Sequence, residues 1–177
     1  MRLDRITITE YDARWPALFE EQRRPVQAAL SPYLTRPIEH LGSTAVPGLP
    51  AKPIIDMLAV VTDHATVDLD PLSATGWLPA PEPGDATSRK HSWCYPSIEY
   101  RTHHLHIVEQ SSPNWPTWLA FRDHLRTTPT DRDEYARLKQ ELAATNDQDR
   151  PAYRAGKAPF ITAVLSRLQS PHTDPQA

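Results

Sequence analysis

The stretch His40-Leu41-Gly42-Ser43-Thr44-Ala45-Val46-Pro47-Gly48-Leu49-Pro50-Ala51-Lys52-Pro53-Ile54-Ile55-Asp56 decides how the rest of the chain is read. Ile38 to Leu41, at its start, is a short apolar run that reads as a strand. Ile54 to Val61, at its end, reads I-I-D-M-L-A-V-V and is apolar on both faces, as a central strand is, except for Asp56. Residues 42–53 between them hold three prolines and two glycines, which excludes a helix there. Two neighbouring strands of one sheet, joined by a loop, are predicted.

The same stretch carries the chemistry. A carboxylate within an apolar strand is costly unless it is paired, hydrogen-bonded or bound to a cation. A strand that delivers Gly42-Ser43-Thr44 into a loop presents backbone N–H groups and hydroxyls, which suits a phosphate. The returning strand then sets Asp56 opposite, which suits Mg²⁺ (or Mn²⁺) bridging phosphate oxygens. Lys52, at the end of the loop, adds a cation.

Outward from this centre, Trp15, Leu18, Phe19, Val26 and Leu30 recur at near-helical spacing, with Asp12 as the expected cap and Pro25 expected to kink or split the helix. Val67 to Thr75 reads as a short helix with Gly76 at its end, and Trp77-Leu78 opens a strand. Residues 79–90 read as an exposed loop. His91–Tyr95 and Tyr100–Val108 alternate as an antiparallel pair. Three helices follow: one with Trp115, Leu119, Arg122 and Arg126; one capped by Asp131, with Tyr135, Leu138 and Leu142; one with Phe160, Ile161, Val164, Leu165 and Leu168. The expected organisation is a single α+β domain over 1–170, a mixed β-sheet with an N-terminal helix and a C-terminal helical section, and a frayed tail over 171–177.

Composition narrows the function. The chain has 177 residues, 39% hydrophobic and 23% charged, which is globular and long enough for a core without disulfides. No apolar run approaches the ~18 residues of a membrane helix. The N-terminus lacks the apolar segment of a signal peptide, and the single Cys94 fits a reducing cytoplasm. A net charge of −3 argues against generic nucleic-acid binding but leaves room for a local basic pocket. There are 19 prolines, scattered as loop stiffeners, and only 5 glycines.

Among the eight histidines, His104 and His106 share one strand face by the period of two. His106 is a candidate pocket residue acting as acid, base or phosphate donor; His104 is either a packed sheet residue or its neighbour in the pocket. His40 is read either as a pocket residue or as a satisfied sheet histidine. His64, His91, His124 and His172 are expected at the surface. Trp93, Trp115 and Trp118 are expected in the core or at a rim, and Cys94 as an inert thiol.

The quoted run resembles the signature of the GrpB family, of the nucleotidyltransferase-fold superfamily. Tyr11-Asp12-x-x-Trp15, His104-Leu105-His106-Ile107-Val108, Phe121-Arg122-Asp123-x-Leu125-Arg126, Tyr135-x-x-Leu138-Lys139 and Lys157-x-x-Phe160-Ile161 extend the resemblance over nearly the whole chain. It implies a Gly-Ser turn that holds nucleotide phosphates and metal-binding carboxylates spaced D-x-D on the next strand, with a third on a later strand. It also lifts Arg122, Lys139 and Lys157 from a solvated helix face, where Arg126 is left, to candidates for binding distal phosphates or an acidic acceptor. The chain departs from the pattern in two places: Leu58 stands where the second carboxylate is expected, and His104-Leu105-His106 where the third is.

The first functional expectation is an enzyme that binds a nucleotide–Mg²⁺ complex and transfers a nucleotidyl group to a small polar metabolite, with Asp56 and His106 in the chemistry. The alternatives are a non-catalytic module binding a nucleotide or phosphometabolite, favoured by Leu58, and ligation or cyclisation of a small acid in the same pocket.

Overall fold

The computed structural model describes residues 5–170, so the expected frayed tail lies outside the described residues. Helix α1 (Trp15–Leu30) leads into β1 (Glu39–Leu41), a single 3₁₀ turn (Ser43–Ala45) and β2 (Ile55–Val61). A short α2 (Asp70–Ser73), then β3 (Leu78–Pro79), β4 (Lys90–Pro96) and β5 (Arg101–Glu109), complete the sheet. Helices α3 (Asn114–Thr127), α4 (Pro129–Thr145) and α5 (Arg150–Gln169) form the C-terminal section.

The five strands lie in the order β1-β2-β5-β4-β3. β2 and β5 run parallel at the centre, and the other pairs are antiparallel. The α+β expectation holds, as does the pairing of the two strands that flank residues 42–53. Because side chains alternate along a strand, the sheet has two distinct faces. On one, Met57, Ala59, Leu105 and Ile107 pack against Trp15, Phe19, Val26 and Leu30 of α1. On the other, Leu41, Leu58, Val60 and Val108 pack under Leu119 of α3. Asp56, His104 and His106 belong to this second face, toward its open end.

Several local expectations need correction. Pro25 does not split α1: the buried stripe Phe19, Gln22, Val26 and Leu30 continues through it. Asp12 is not the cap; it sits in the preceding turn, where its carboxylate accepts from the Arg14 N–H at 2.8 Å. Asp131 lies within the first turn of α4 and pairs with His124 at 2.6 Å. Helix α5 begins about ten residues earlier than its apolar pattern suggests, at a cap where the Asp149 side chain accepts from Ala152 N–H at 2.9 Å.

Candidate functional site

Register sets the site. Leu41 pairs with Asp56 in the antiparallel β1–β2 ladder, so Gly42 leaves the strand directly beside the carboxylate. Gly42 has φ +73°, and a Cβ there would lie 2.4 Å from Asp56 Oδ2. Only glycine allows this approach. In the parallel β2–β5 ladder Asp56 pairs with His104 and Leu58 with His106, which brings both imidazoles to the same face. His104 Nδ1 lies 3.5 Å and His106 Nε2 3.8 Å from Asp56 Oδ1. Burial works against the charge on Asp56, but the two histidines outweigh it and hold its carboxyl well below the usual carboxylate range.

Two adjoining cavities meet at this point. The larger, about 540 Å³, runs from Ser43, Asp56 and His106 to an apolar wall that includes Trp118, Phe121, Leu125 and Ile161. The smaller, about 180 Å³, is lined by Lys52, Lys139, Arg150, Arg154 and Lys157 around Ser43 and Asp56. Ser43, Asp56, His104, Arg154 and Lys157 line both. The smaller cavity is therefore lined by three lysines and two arginines around one carboxylate, a surface matched to a polyanion.

Lys139 reaches this cavity from the interior. It is only 2% exposed. Its Nζ donates to Ser43 Oγ at 3.0 Å and to the Pro50 carbonyl. Burial, with the neighbouring charge of Lys157, pushes its pKa down to about 7. Lys157 is lowered by burial as well, with Asp56 acting the other way, and its ammonium sits 4.6 Å from the centre of the Tyr153 ring.

Other candidate residues are placed differently. His40 pairs with Met57 and so faces α1 rather than the cavities. It stacks on Phe19 at 4.7 Å, and its Nε2 meets Thr44 Oγ1 at 3.0 Å. Burial depresses its pKa to about 4, so it is neutral at physiological pH. Thr44 is buried and shares its hydroxyl with His40 and the Ile54 carbonyl, a contact that shapes the turn. Arg122 reaches the wall of the larger cavity, but its guanidinium is spent on Glu39 at 2.9 Å, the His40 carbonyl at 2.8 Å and Asp123. Arg126 is more than a solvated charge: it donates to the Ala45 carbonyl at 2.9 Å and ties α3 to the turn. His64, His91 and His124 are half-buried rather than superficial; His172 lies outside the described residues. Trp93 is in the core, and Trp118 stands at the cavity rim with its ring 6.0 Å from that of His106.

Sequence reasoning missed Arg150, Tyr153 and Arg154. Together with Lys157 they recur at i, i+3, i+4 and i+7, one face of α5. The signal was present in Asp149 followed by Pro151, a helix start.

The donor set does not suit Mg²⁺ held by the protein alone. That ion takes near-octahedral oxygen coordination, and the face offers one carboxylate, two imidazoles and several cations. Leu58, in the second carboxylate's place, is 0% exposed beneath α3.

The chain matches the GrpB protein family over residues 5–167. It is 36% identical to a UPF0157 protein from Halalkalibacterium halodurans, over 93% of this chain and 83% of that one. It is 27% identical to a dephospho-CoA kinase from Mycolicibacterium paratuberculosis, over 88% of this chain and 44% of that one. Its fold resembles the crystal structure of the conserved protein GrpB from Enterococcus faecalis, with TM-score 0.79, 30% identity, and 93% of this chain and all of that one covered. No helix among the described residues is long and apolar enough to cross a membrane.

Proposed function

The chain belongs to the GrpB family, and on that footing we propose that it is a nucleotide-binding enzyme that transfers a nucleotidyl group to a small polar acceptor. The observation that carries this reading is the smaller cavity, where lysines and arginines surround Ser43 at the Gly42 turn. Their charge neutralises a bound polyphosphate without calling on a protein-held Mg²⁺. The similarity to a dephospho-CoA kinase supports nucleotide-related chemistry.

In this reading the phosphates lie against Lys139, Lys157 and Ser43, and the acceptor enters through the larger cavity. The acceptor hydroxyl oxygen forms a bond to the α-phosphorus while the bond to pyrophosphate breaks, and pyrophosphate leaves with the electron pair. His106, beside Asp56, takes the acceptor proton. Catalysis is then positioning plus charge neutralisation. The buried Leu58 favours a second reading, a module that binds the nucleotide without turning it over.

Calorimetric titration of the four ribonucleoside triphosphates, with mass spectrometry of products, tests both. Saturable binding that weakens in Lys157→Met is expected; at 100 times Kd it adds about 2.7 kcal/mol to folding stability. Binding with no product from a panel of small alcohols, amines and acids selects the module. Absence of binding for all four nucleotides sinks both readings.

A further inference from the structure

We propose that the acceptor taken by the larger cavity is amphipathic, with a hydroxyl at one end and an uncharged aromatic or branched aliphatic body behind it. The inference rests on the nucleotidyl-transfer reading for what the hydroxyl does, but the binding preference needs no nucleotide. At about 540 Å³ the cavity falls within the ~300–1,000 Å³ of small-molecule sites. Two helices build its wall. Trp118, Phe121 and Leu125 recur at i, i+3 and i+7 along α3, and Ile161 and Leu165 at i and i+4 along α5. Each helix thus turns one apolar stripe toward the space between them. Apolar surface left in a cleft favours a ligand that removes it from water, in proportion to the area covered.

The wall is fixed by packing before any ligand arrives. Phe121 stands edge-on to Tyr135, with centroids 5.3 Å apart at 88°, and Tyr135 stacks on Phe160 at 5.3 Å. Rings held in this way lose little freedom when a ligand covers them. The Trp118 ring lies 6.0 Å from that of His106. A flat body resting on the indole therefore brings a hydroxyl substituent toward the imidazole that takes its proton in the transfer reading.

The charges that line the cavity sort into two groups. Four are matched with partners of opposite sign. Arg122 donates to Glu39 at 2.9 Å and to Asp123 at 2.8 Å. Lys90 lies 3.0 Å from Asp85 and 3.5 Å from Glu82, and Arg154 lies 3.0 Å from Glu82, so Glu82 is shared by two cations. The second group, His104, His106 and Lys157, gathers around Asp56 where the two cavities meet. A carboxylate or ammonium on the body of the ligand would face apolar side chains and pairs already neutralised, and would lose its hydration without a new partner. The wall therefore accepts one polar end, at Asp56 and His106, and an uncharged body.

The test is calorimetric titration of three alcohols into the full chain without nucleotide: 2-phenylethanol, glycerol and 4-(2-hydroxyethyl)benzoate. Saturable binding of 2-phenylethanol is expected, with the benzoate weaker by about tenfold or more and glycerol weaker still. Ile161→Trp fills the cavity and Trp118→Ala removes part of its wall; each should weaken 2-phenylethanol by about fivefold or more. Leu168→Ala, at an exposed position of α5 outside the cavity, should leave binding unchanged. Circular dichroism establishes that each variant is folded; if Ile161→Trp does not fold, Trp118→Ala decides. Failure of 2-phenylethanol to bind wild type, equal binding of glycerol or the benzoate, or unchanged binding in the folded cavity variants overturns the proposal. Adding nucleoside triphosphate separates the inference from the reading beneath it. Product from glycerol but not from 2-phenylethanol keeps the transferase and overturns the amphipathic acceptor. Selective binding of 2-phenylethanol with no product keeps the ligand class and removes the transfer.

Discussion

Lys139 shows how one buried group links stability, pH and ligand binding. An exposed lysine is protonated far above neutrality, whereas burial brings Lys139 down to about 7. Between about pH 7 and the ordinary lysine value near 10.4 the unfolded chain holds a proton that the folded protein lacks. Stability contributed by this group therefore rises with pH across that window, by at most about 1.4 kcal/mol per pH unit. Below pH 7 both states carry the proton and the slope vanishes. Urea melts from pH 6 to pH 9 should show a steeper rise in wild type than in Lys139→Met. An anion in the smaller cavity reverses the balance by recharging Lys139, so its binding should take up protons at pH 8, visible as calorimetric heats that depend on buffer ionisation enthalpy. Gly42 makes a second residue-level case. Gly42→Ala combines a left-handed backbone with a Cβ driven into Asp56; a loss of about 2–3 kcal/mol is expected by denaturant melt. Gly84→Ala, also at positive φ (+90°) but facing open space, should cost only about 1 kcal/mol.

At the scale of elements, β2 decides what a restored carboxylate would do. Leu58 shares the face of Asp56 but lies under α3 with Leu41, Val60, Val108 and Leu119. Leu58→Asp should therefore bury an unpaired charge and cost about 3–5 kcal/mol in a denaturant melt rather than create an Mg²⁺ site. The same elements show what the sequence could and could not reveal. β1, β2 and the turn between them were legible because proline and glycine punctuation brackets two apolar runs. Asp56 stood out as the lone charge in an apolar strand, and His104 and His106 shared a face by the period of two alone. The side toward which His40 points was not legible. It depends on the pairing of Leu41 with Asp56, and that register is set by how residues 42–53 fold back. Lys139 and Lys157 were found only through family motifs, since their place at the site comes from packing between helices. Leu142 and Gly156 mark that packing: a Cβ on Gly156 would come within 2.4 Å of Leu142 Cδ2. The start of α5 was missed because its first turns face the basic cavity and carry no apolar stripe.

For the whole molecule, the site is held together by contacts between regions distant in sequence. Arg154 of α5 pairs with Glu82 of the loop before β4 at 3.0 Å and closes one side of the larger cavity. Arg154 is well exposed, so Arg154→Ala should change global stability by less than about 1 kcal/mol. Its signature should be local: faster amide hydrogen exchange over residues 80–89, with β2 and β5 unchanged. Similar exchange in both proteins would show that the ion pair does not restrain the loop. The distribution of the site along the chain also orders events at the ribosome. Translation adds about 5–20 residues per second, so Lys157 is made roughly 5–20 s after Asp56. A nascent chain carries its carboxylate and histidines well before the cations of α4 and α5 exist. An anionic ligand therefore has no basic cavity to enter during early synthesis and cannot guide the first folding events. A ligand bound as proposed would engage only the finished chain, through helices that arrive last.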